Sequence, residues 1–139
     1  MEISVVRKRL SDTIERAKRQ AAGRRSRADQ ASRDFDLFLQ KIAVPLFRQV
    51  ANALKAEGYA FTVFTPSGSV RLMSDRSASD YIELTLDTSE DLPHVMGQVS
   101  RERGRRVLDT ERAIGTPDTL TEEPLLDFLL KELEAFVTR

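Results

Sequence analysis

The chain has 139 residues, of which 40% are apolar and 32% are charged, and its formal net charge is zero. This length suits one domain with a real hydrophobic core. Because there is no cysteine, disulfide bonds, thiolate catalysis and cysteine-based metal sites are excluded. No apolar stretch approaches the about 20 residues of a membrane span, and the first ten residues lack the apolar core of a signal peptide. We therefore expect a cytoplasmic protein without a membrane partner.

The charges are distributed unevenly along the chain. Residues 1–34 hold ten Lys and Arg against five Asp and Glu, a net charge of +5, and residues 35–139 have a net charge of −5. Ends of opposite sign can attract polyanions, each other, or another copy of the chain. We interpret residues 1–34 as a basic helical extension and residues 35–139 as an α+β core domain.

Helical periodicity extends from Ile3 to Glu57. Within it, positions spaced alternately four and three residues apart form one unbroken series: Leu10, Ile14, Ala17, Ala21, Arg24, Ala28, Ala31, Phe35, Phe38 and Ile42. This is the a/d pattern of a coiled coil. Because alanine offers little area to bury, we expect Leu10, Ile14, Phe35 and Phe38 to anchor the contacts with a partner or a second copy.

The same segment is also compatible with a helical hairpin. Lys18 and Arg19 suit the end of a helix, and Gly23 suits the position after it. Ser26 can cap a second helix, which places a hinge at residues 22–26. The unbroken heptad series favours one long helix, whereas these cap signals favour the hairpin.

Pro45 is expected to disturb the helical segment in either version. Its ring clashes with the carbonyl of Lys41 and disfavours helical geometry at Val44. We predict a kink there, or a new helix with Pro45 in its first turn. The helical region then ends at Gly58.

After Gly58 the apolar period changes from about 3.6 residues to two. The alternation predicts strands at residues 60–65, 70–74, 81–87, 94–100 and 105–112. Turns are expected at Pro66–Gly68, where proline fixes φ and glycine permits positive φ, and at residues 101–104. The result is a meander of four or five antiparallel strands with one polar face.

A final helix is predicted beyond the loop at Pro117. Thr119 or Thr121 caps it, and an apolar stripe follows at helical spacing: Leu126, Leu129, Leu130, Leu133, Phe136 and Val137. This stripe should cover one face of the sheet together with residues 35–57. The predicted fold class is therefore α+β.

Few residues have the spacing of a catalytic or metal site. The single histidine, His94, has no nucleophile or acid placed beside it by the pattern. Four carboxylates lie around one predicted loop and the strand after it: Asp75, Asp80, Glu83 and Asp87. The tripeptide that begins at Glu83 lacks the lysine found in the motif of metal-dependent nucleases. Glycine-rich phosphate loops are absent. We therefore expect no cofactor, no metal and no enzyme activity.

The sequence predicts a non-enzymatic interaction or assembly module, which self-associates or docks a larger protein partner through its N-terminal helix. The alternative is a nucleic-acid-binding protein in which Arg24, Arg25 and Arg27 contact the phosphate backbone. Because residues 1–34 contain no aromatic side chain, such binding would be salt-sensitive and independent of sequence. A second basic cluster, Arg101 to Arg106, lies at a predicted turn that can hold a phosphate.

Overall fold

The computed structural model describes residues 1–138. Helix α1 spans Ile3–Phe38 and continues through a π-helical segment, Leu39–Ala43, into helix α2, Val44–Ala56. The remaining elements are β1 Phe61–Phe64, β2 Val70–Ser74, β3 Tyr81–Asp87, β4 His94–Arg103, β5 Arg106–Gly115 and α3 Glu122–Val137. The predicted α+β layout is confirmed. Within the described residues, none of the helices has an apolar stretch of the length that a bilayer crossing requires.

The N-terminal segment is one long helix, as the heptad series predicts. Gly23 and Ser26 both lie inside α1, so the hinge at residues 22–26 is wrong. A glycine inside a helix costs about 1 kcal/mol relative to alanine, and its neighbours here are the strong helix formers alanine and arginine. The high helix propensity of these neighbours allows α1 to continue through Gly23 and Ser26, although both residues suit helix caps.

Pro45 shapes the junction between α1 and α2 without breaking it. Val44 keeps helical angles (φ −63°, ψ −47°), and its N–H donates to the carbonyl of Leu39, five residues earlier. The wider π turn makes room where the proline ring would meet the carbonyl of Lys41. The predicted loss of helical geometry at Val44 is therefore wrong, whereas the placement of Pro45 in the first turn of α2 is confirmed.

The five strands form one antiparallel meander in the order β1-β2-β3-β4-β5. In its centre, Ile82 of β3 lies opposite Leu72 of β2 and Val99 of β4. Because side chains alternate between the two faces of a strand, this row and its neighbours two residues away face the helices. The face includes Leu84, which lies opposite Gly97.

The hairpin between β4 and β5 is longer than the sequence indicates. Arg103 pairs with Arg106, so the turn consists of Gly104 and Arg105 alone, and not of residues 101–104. Gly104 has φ 62°, and a two-residue hairpin turn needs positive φ, which glycine adopts without strain. The arginine cluster is thus divided between two strand ends and their turn.

The three helices and one face of the sheet enclose the core. Side chains from α1, the π segment and α2 join those of the strands and α3: Phe35, Phe38, Leu39, Ala43, Leu46, Phe47, Val50, Ala51, Val70, Leu72, Ile82, Leu84, Val95, Val99, Leu120, Leu125, Phe128, Leu129, Leu133 and Phe136. Phe136 of α3 meets Phe61 of β1 edge to face, with ring centroids 6.0 Å apart. Helix α3 therefore closes one face of the sheet, as predicted.

The buried face of α3 differs in part from the predicted stripe. Leu129, Leu133 and Phe136 are buried as expected, but Leu130 is 53% exposed, and Leu125 and Phe128 are buried instead. The ring of Phe128 lies directly over Gly97, where a Cβ atom would be 2.5 Å from its Cε1. The ring therefore packs against the backbone of β4 at this glycine, which is compatible only with a rotation of α3 that turns Phe128 towards the sheet.

Candidate association surface

The first 30 residues of the chain make few contacts with the rest of the molecule. All of them are exposed or half-buried, and burial along α1 begins at Ala31. Going along α1 from its N-terminus, the first side-chain hydrogen bond to the rest of the fold is at Arg27. Its Nε donates to the backbone carbonyl of Asp91, between β3 and β4 (3.3 Å). At 1.5 Å per residue, residues 3–27 extend roughly 37 Å. The division into residues 1–34 and 35–139 stays a prediction, and burial starts four residues earlier than its boundary.

Four large apolar side chains share one face of this projecting part of α1. Leu10 and Ile14 are 57% and 44% exposed. Ile3 lies seven residues before Leu10 and Val6 four residues before it, and both are also exposed. Residues at these spacings share one face of a helix. We call Ile3, Val6, Leu10 and Ile14 the N-terminal stripe; it is an apolar surface that this chain leaves uncovered.

Phe35 and Phe38 occupy the other end of the same heptad series. They are 2% and 4% exposed, and their rings stack with centroids 6.2 Å apart. Both belong to the core of this chain. Because Phe35 and Phe38 are buried, they have no surface to offer a partner, and the contact proposed for a partner does not include them. Leu10 and Ile14 remain accessible.

The predicted nucleic-acid residues lie at the base of the projecting helix. Arg24 and Arg25 are exposed, and within residues 1–138 neither is in an ion pair. Arg27 is exposed as well, but its Nε is engaged with Asp91. Residues 1–27 hold nine Lys and Arg against three Asp and Glu, a net charge of +6. The projecting helix is therefore strongly basic as well as apolar on one face.

His94 lies across the β3–β4 ladder from Asp87. The Asp87 carboxylate accepts hydrogen bonds from the hydroxyl (2.6 Å) and the N–H (2.8 Å) of Ser89. These two bonds, with a smaller contribution from the charge of His94, hold the pKa of the Asp87 carboxyl below its usual value. Ser89 donates to the carboxylate and not to the imidazole, so the three side chains do not form a nucleophile activated by a base.

The other predicted carboxylates are engaged in separate local interactions. Asp75 accepts a hydrogen bond from the hydroxyl of Thr62 (2.6 Å), and Asp80 accepts one from the backbone N–H of Glu102 (2.8 Å). In the part of the chain that the structure describes, no three His, Asp or Glu residues are grouped as a metal site would need.

Glu83 is buried, although the alternation of β3 places it on the solvent face. It is 7% exposed, and it pairs with Arg71 at 3.0 Å and accepts a hydrogen bond from the hydroxyl of Ser69 at 3.2 Å. The Arg71 guanidinium also lies over the ring of Tyr81, 4.0 Å from its centroid. This cross-strand cluster satisfies the buried carboxylate, and nothing in the spacing of β3 alone could predict it.

A shallow cavity of about 180 Å³ lies where α1 meets the loops at the end of the sheet. Leu92, Pro93 and Pro117 supply its apolar wall, and Asp34 and Asp118 also line it. The side chain of Leu92 is exposed. Sequence reasoning missed this site because its walls come from α1 and from two loops that follow β3 and β5.

No protein-family model, no curated protein and no solved structure matches this chain.

Proposed function

We propose that this protein is a non-enzymatic interaction module whose projecting N-terminal helix associates with another protein surface, either a second copy or a larger partner. The observation that carries the proposal is the N-terminal stripe, in which four Val, Leu and Ile side chains lie exposed along one face of a helix that projects from the folded unit. A cytoplasmic location, suggested by the absence of cysteine, belongs to the same proposal.

Physical chemistry supports an association role for this helix. Isolated helices gain little stability from propensity alone, and most helical stability in proteins comes from packing of an apolar face. Removing apolar surface from water contributes about 25 cal/mol per Å². Covering the N-terminal stripe would therefore stabilise both the helix and the complex. The high charge around the other faces keeps them hydrated and directs packing to the stripe.

The double substitution Leu10→Asp plus Ile14→Asp tests this proposal. Two carboxylates in the centre of the stripe should abolish association, because burying a charge without a partner is strongly unfavourable. We expect the mass measured by light scattering to fall, or a co-purifying partner to be released. Both side chains lie outside the core, so the variant should still fold and unfold cooperatively.

A matched control is the pair Ala22→Asp and Ser26→Asp. It has the same four-residue spacing and the same charge change, and at 3.6 residues per turn both positions lie well away from the stripe. The control variant should associate like the original chain. An original chain that is strictly monomeric and carries no partner would contradict the proposal.

Nucleic-acid binding through Arg24, Arg25 and Arg27 is a second candidate function. The observation that favours it is the exposure of these arginines on a helix segment with a net charge of +6. Helices of this kind can lie along a phosphate backbone, and their affinity comes from release of counterions. The acidic remainder of the chain repels phosphates, so the helix would supply most of the affinity.

Replacing Arg24, Arg25 and Arg27 with Glu changes the net charge of residues 1–34 from +5 to −1. Binding to DNA or RNA probes, measured by fluorescence anisotropy, should then vanish at moderate salt. In the original chain, log K should fall with log salt by about 0.9 for each duplex phosphate neutralised. The variant Arg103→Glu, Arg105→Glu, Arg106→Glu makes the same charge change on the β4–β5 hairpin and should bind normally. No binding by the original chain at low salt would eliminate this candidate.

A further inference from the structure

We propose that the N-terminal stripe is covered by the N-terminal stripe of a second copy of this chain, with the two α1 helices antiparallel. This inference rests on the association role proposed above and names its partner and orientation. Two features carry it: the position of the folded unit relative to the stripe, and the sizes of the side chains along α1.

The position of the folded unit excludes a parallel pair. Leu10 and Ile14 belong to the same heptad series as Ala31, Phe35 and Phe38, so in a pair of supercoiled helices the core lies on the same side of α1 as the exposed stripe. If two copies paired in parallel along this face, both cores would occupy the space between the helices from residue 31 onwards. In an antiparallel pair, the core of each copy lies beyond the N-terminus of the other. Both stripes can then be covered along residues 3–27.

The sizes of the side chains also favour an antiparallel pair. In the register that sets Leu10 opposite Ala21, Ile14 lies opposite Ala17 and Ile3 lies opposite Ala28. Three of the four large side chains thus meet an alanine, and Val6 lies opposite Arg25. Alternating large and small residues across an interface fill it well. A parallel pair would set alanine against alanine at Ala17 and Ala21 and leave that part of the interface thin.

Arg24 is the one charged member of this part of the series. In the same antiparallel register it lies opposite Arg7, and both side chains are long enough to turn their guanidinium groups into solvent. This like-charged layer opposes association, so the pair should be weaker than a fully apolar coiled coil of the same length. The substitution Arg24→Leu should accordingly tighten the dimer.

Disulfide trapping tests the orientation cleanly, because the chain contains no cysteine of its own. Two cysteines form a bridge only when their Cα atoms are within about 7 Å. Under mild oxidation, the variant Leu10→Cys plus Ala21→Cys should form a covalent dimer on a non-reducing gel. Ala21→Cys alone should remain a monomer, since an antiparallel pair separates the two copies of position 21 by roughly 16 Å along the helix axis.

The matched control is Asp12→Cys plus Arg19→Cys. These positions have the same antiparallel relation to each other but lie on the opposite side of α1 from the stripe, so this variant should stay monomeric. A covalent dimer of Ala21→Cys alone would establish a parallel pair and overturn this inference, while the association role itself would stand. If no variant is trapped, a second copy does not cover the stripe; the light-scattering comparison of Leu10→Asp plus Ile14→Asp then decides the association role independently.

Discussion

Truncation of Leu84 or Leu129 to alanine is expected to lower the free energy of unfolding by about 2–5 kcal/mol, as cavity-forming substitutions in close-packed cores do. Both side chains are fully buried, Leu84 on the helix-facing side of β3 and Leu129 on the buried side of α3. Each loses its apolar burial and leaves a cavity that its neighbours fill only partly. Chemical denaturation followed by circular dichroism measures the change.

Leu130→Ala is the matched control for Leu129→Ala. The two leucines are adjacent in α3, but the side chain of Leu130 is mostly exposed. Its truncation should change the free energy of unfolding by no more than about 0.5 kcal/mol. Equal effects of the two substitutions would mean that α3 is rotated differently from the arrangement described above. That outcome would restore the stripe that the helical spacing predicts.

Gly97→Ala is expected to destabilise the fold by about 1–3 kcal/mol, because it overpacks the contact between β4 and α3. A Cβ atom at this position would lie 2.5 Å from two carbons of the Phe128 ring. The ring is buried, so relieving this contact requires it to shift within the close-packed space between the sheet and α3. The change in free energy is measured by denaturant unfolding, as for the leucines.

Two further variants identify the cause of this effect. Gly97→Ala combined with Phe128→Leu should cost less than the sum of the two single substitutions, because the smaller side chain removes the clash. Gly115→Ala should cost less than Gly97→Ala, since its closest contact is the Cδ1 of Leu120 at 3.0 Å, the end of a flexible side chain. Additive effects at positions 97 and 128 would contradict the close approach of the ring to the strand.

The projecting helix shows what a periodic pattern of apolar residues can predict and what it cannot. The heptad series predicts one continuous helix, and α1 runs through Gly23 without a break. Spacing says which residues share a face, but it does not say what covers that face. Leu10 is left exposed and Phe35 is buried because only the second half of the series meets the sheet and the other helices.

Helix α3 also has a property that local sequence predicts and one that it does not. Its existence follows from local signals, which leave either Thr119 or Thr121 as the residue before its first turn. The helix begins after Thr121, whose side chain makes no capping hydrogen bond. Its rotation does not, because Leu130 and Phe128 both suit the apolar stripe of an amphipathic helix. In the structure Phe128 packs over Gly97, which has no side chain to oppose the ring, and that glycine is on a strand more than 30 residues earlier.

The sequence by itself determined the helical segments, a meander of four or five strands and the order in which these elements follow, because apolar periodicity and glycine at turns act over a few neighbouring residues. Only the tertiary structure decided that Glu83 is buried with Arg71 and Ser69, that Phe35 and Phe38 belong to the core, and that Leu10 and Ile14 remain uncovered. Burial depends on contacts between residues far apart in the chain, and no local pattern specifies which of several apolar faces those contacts will cover.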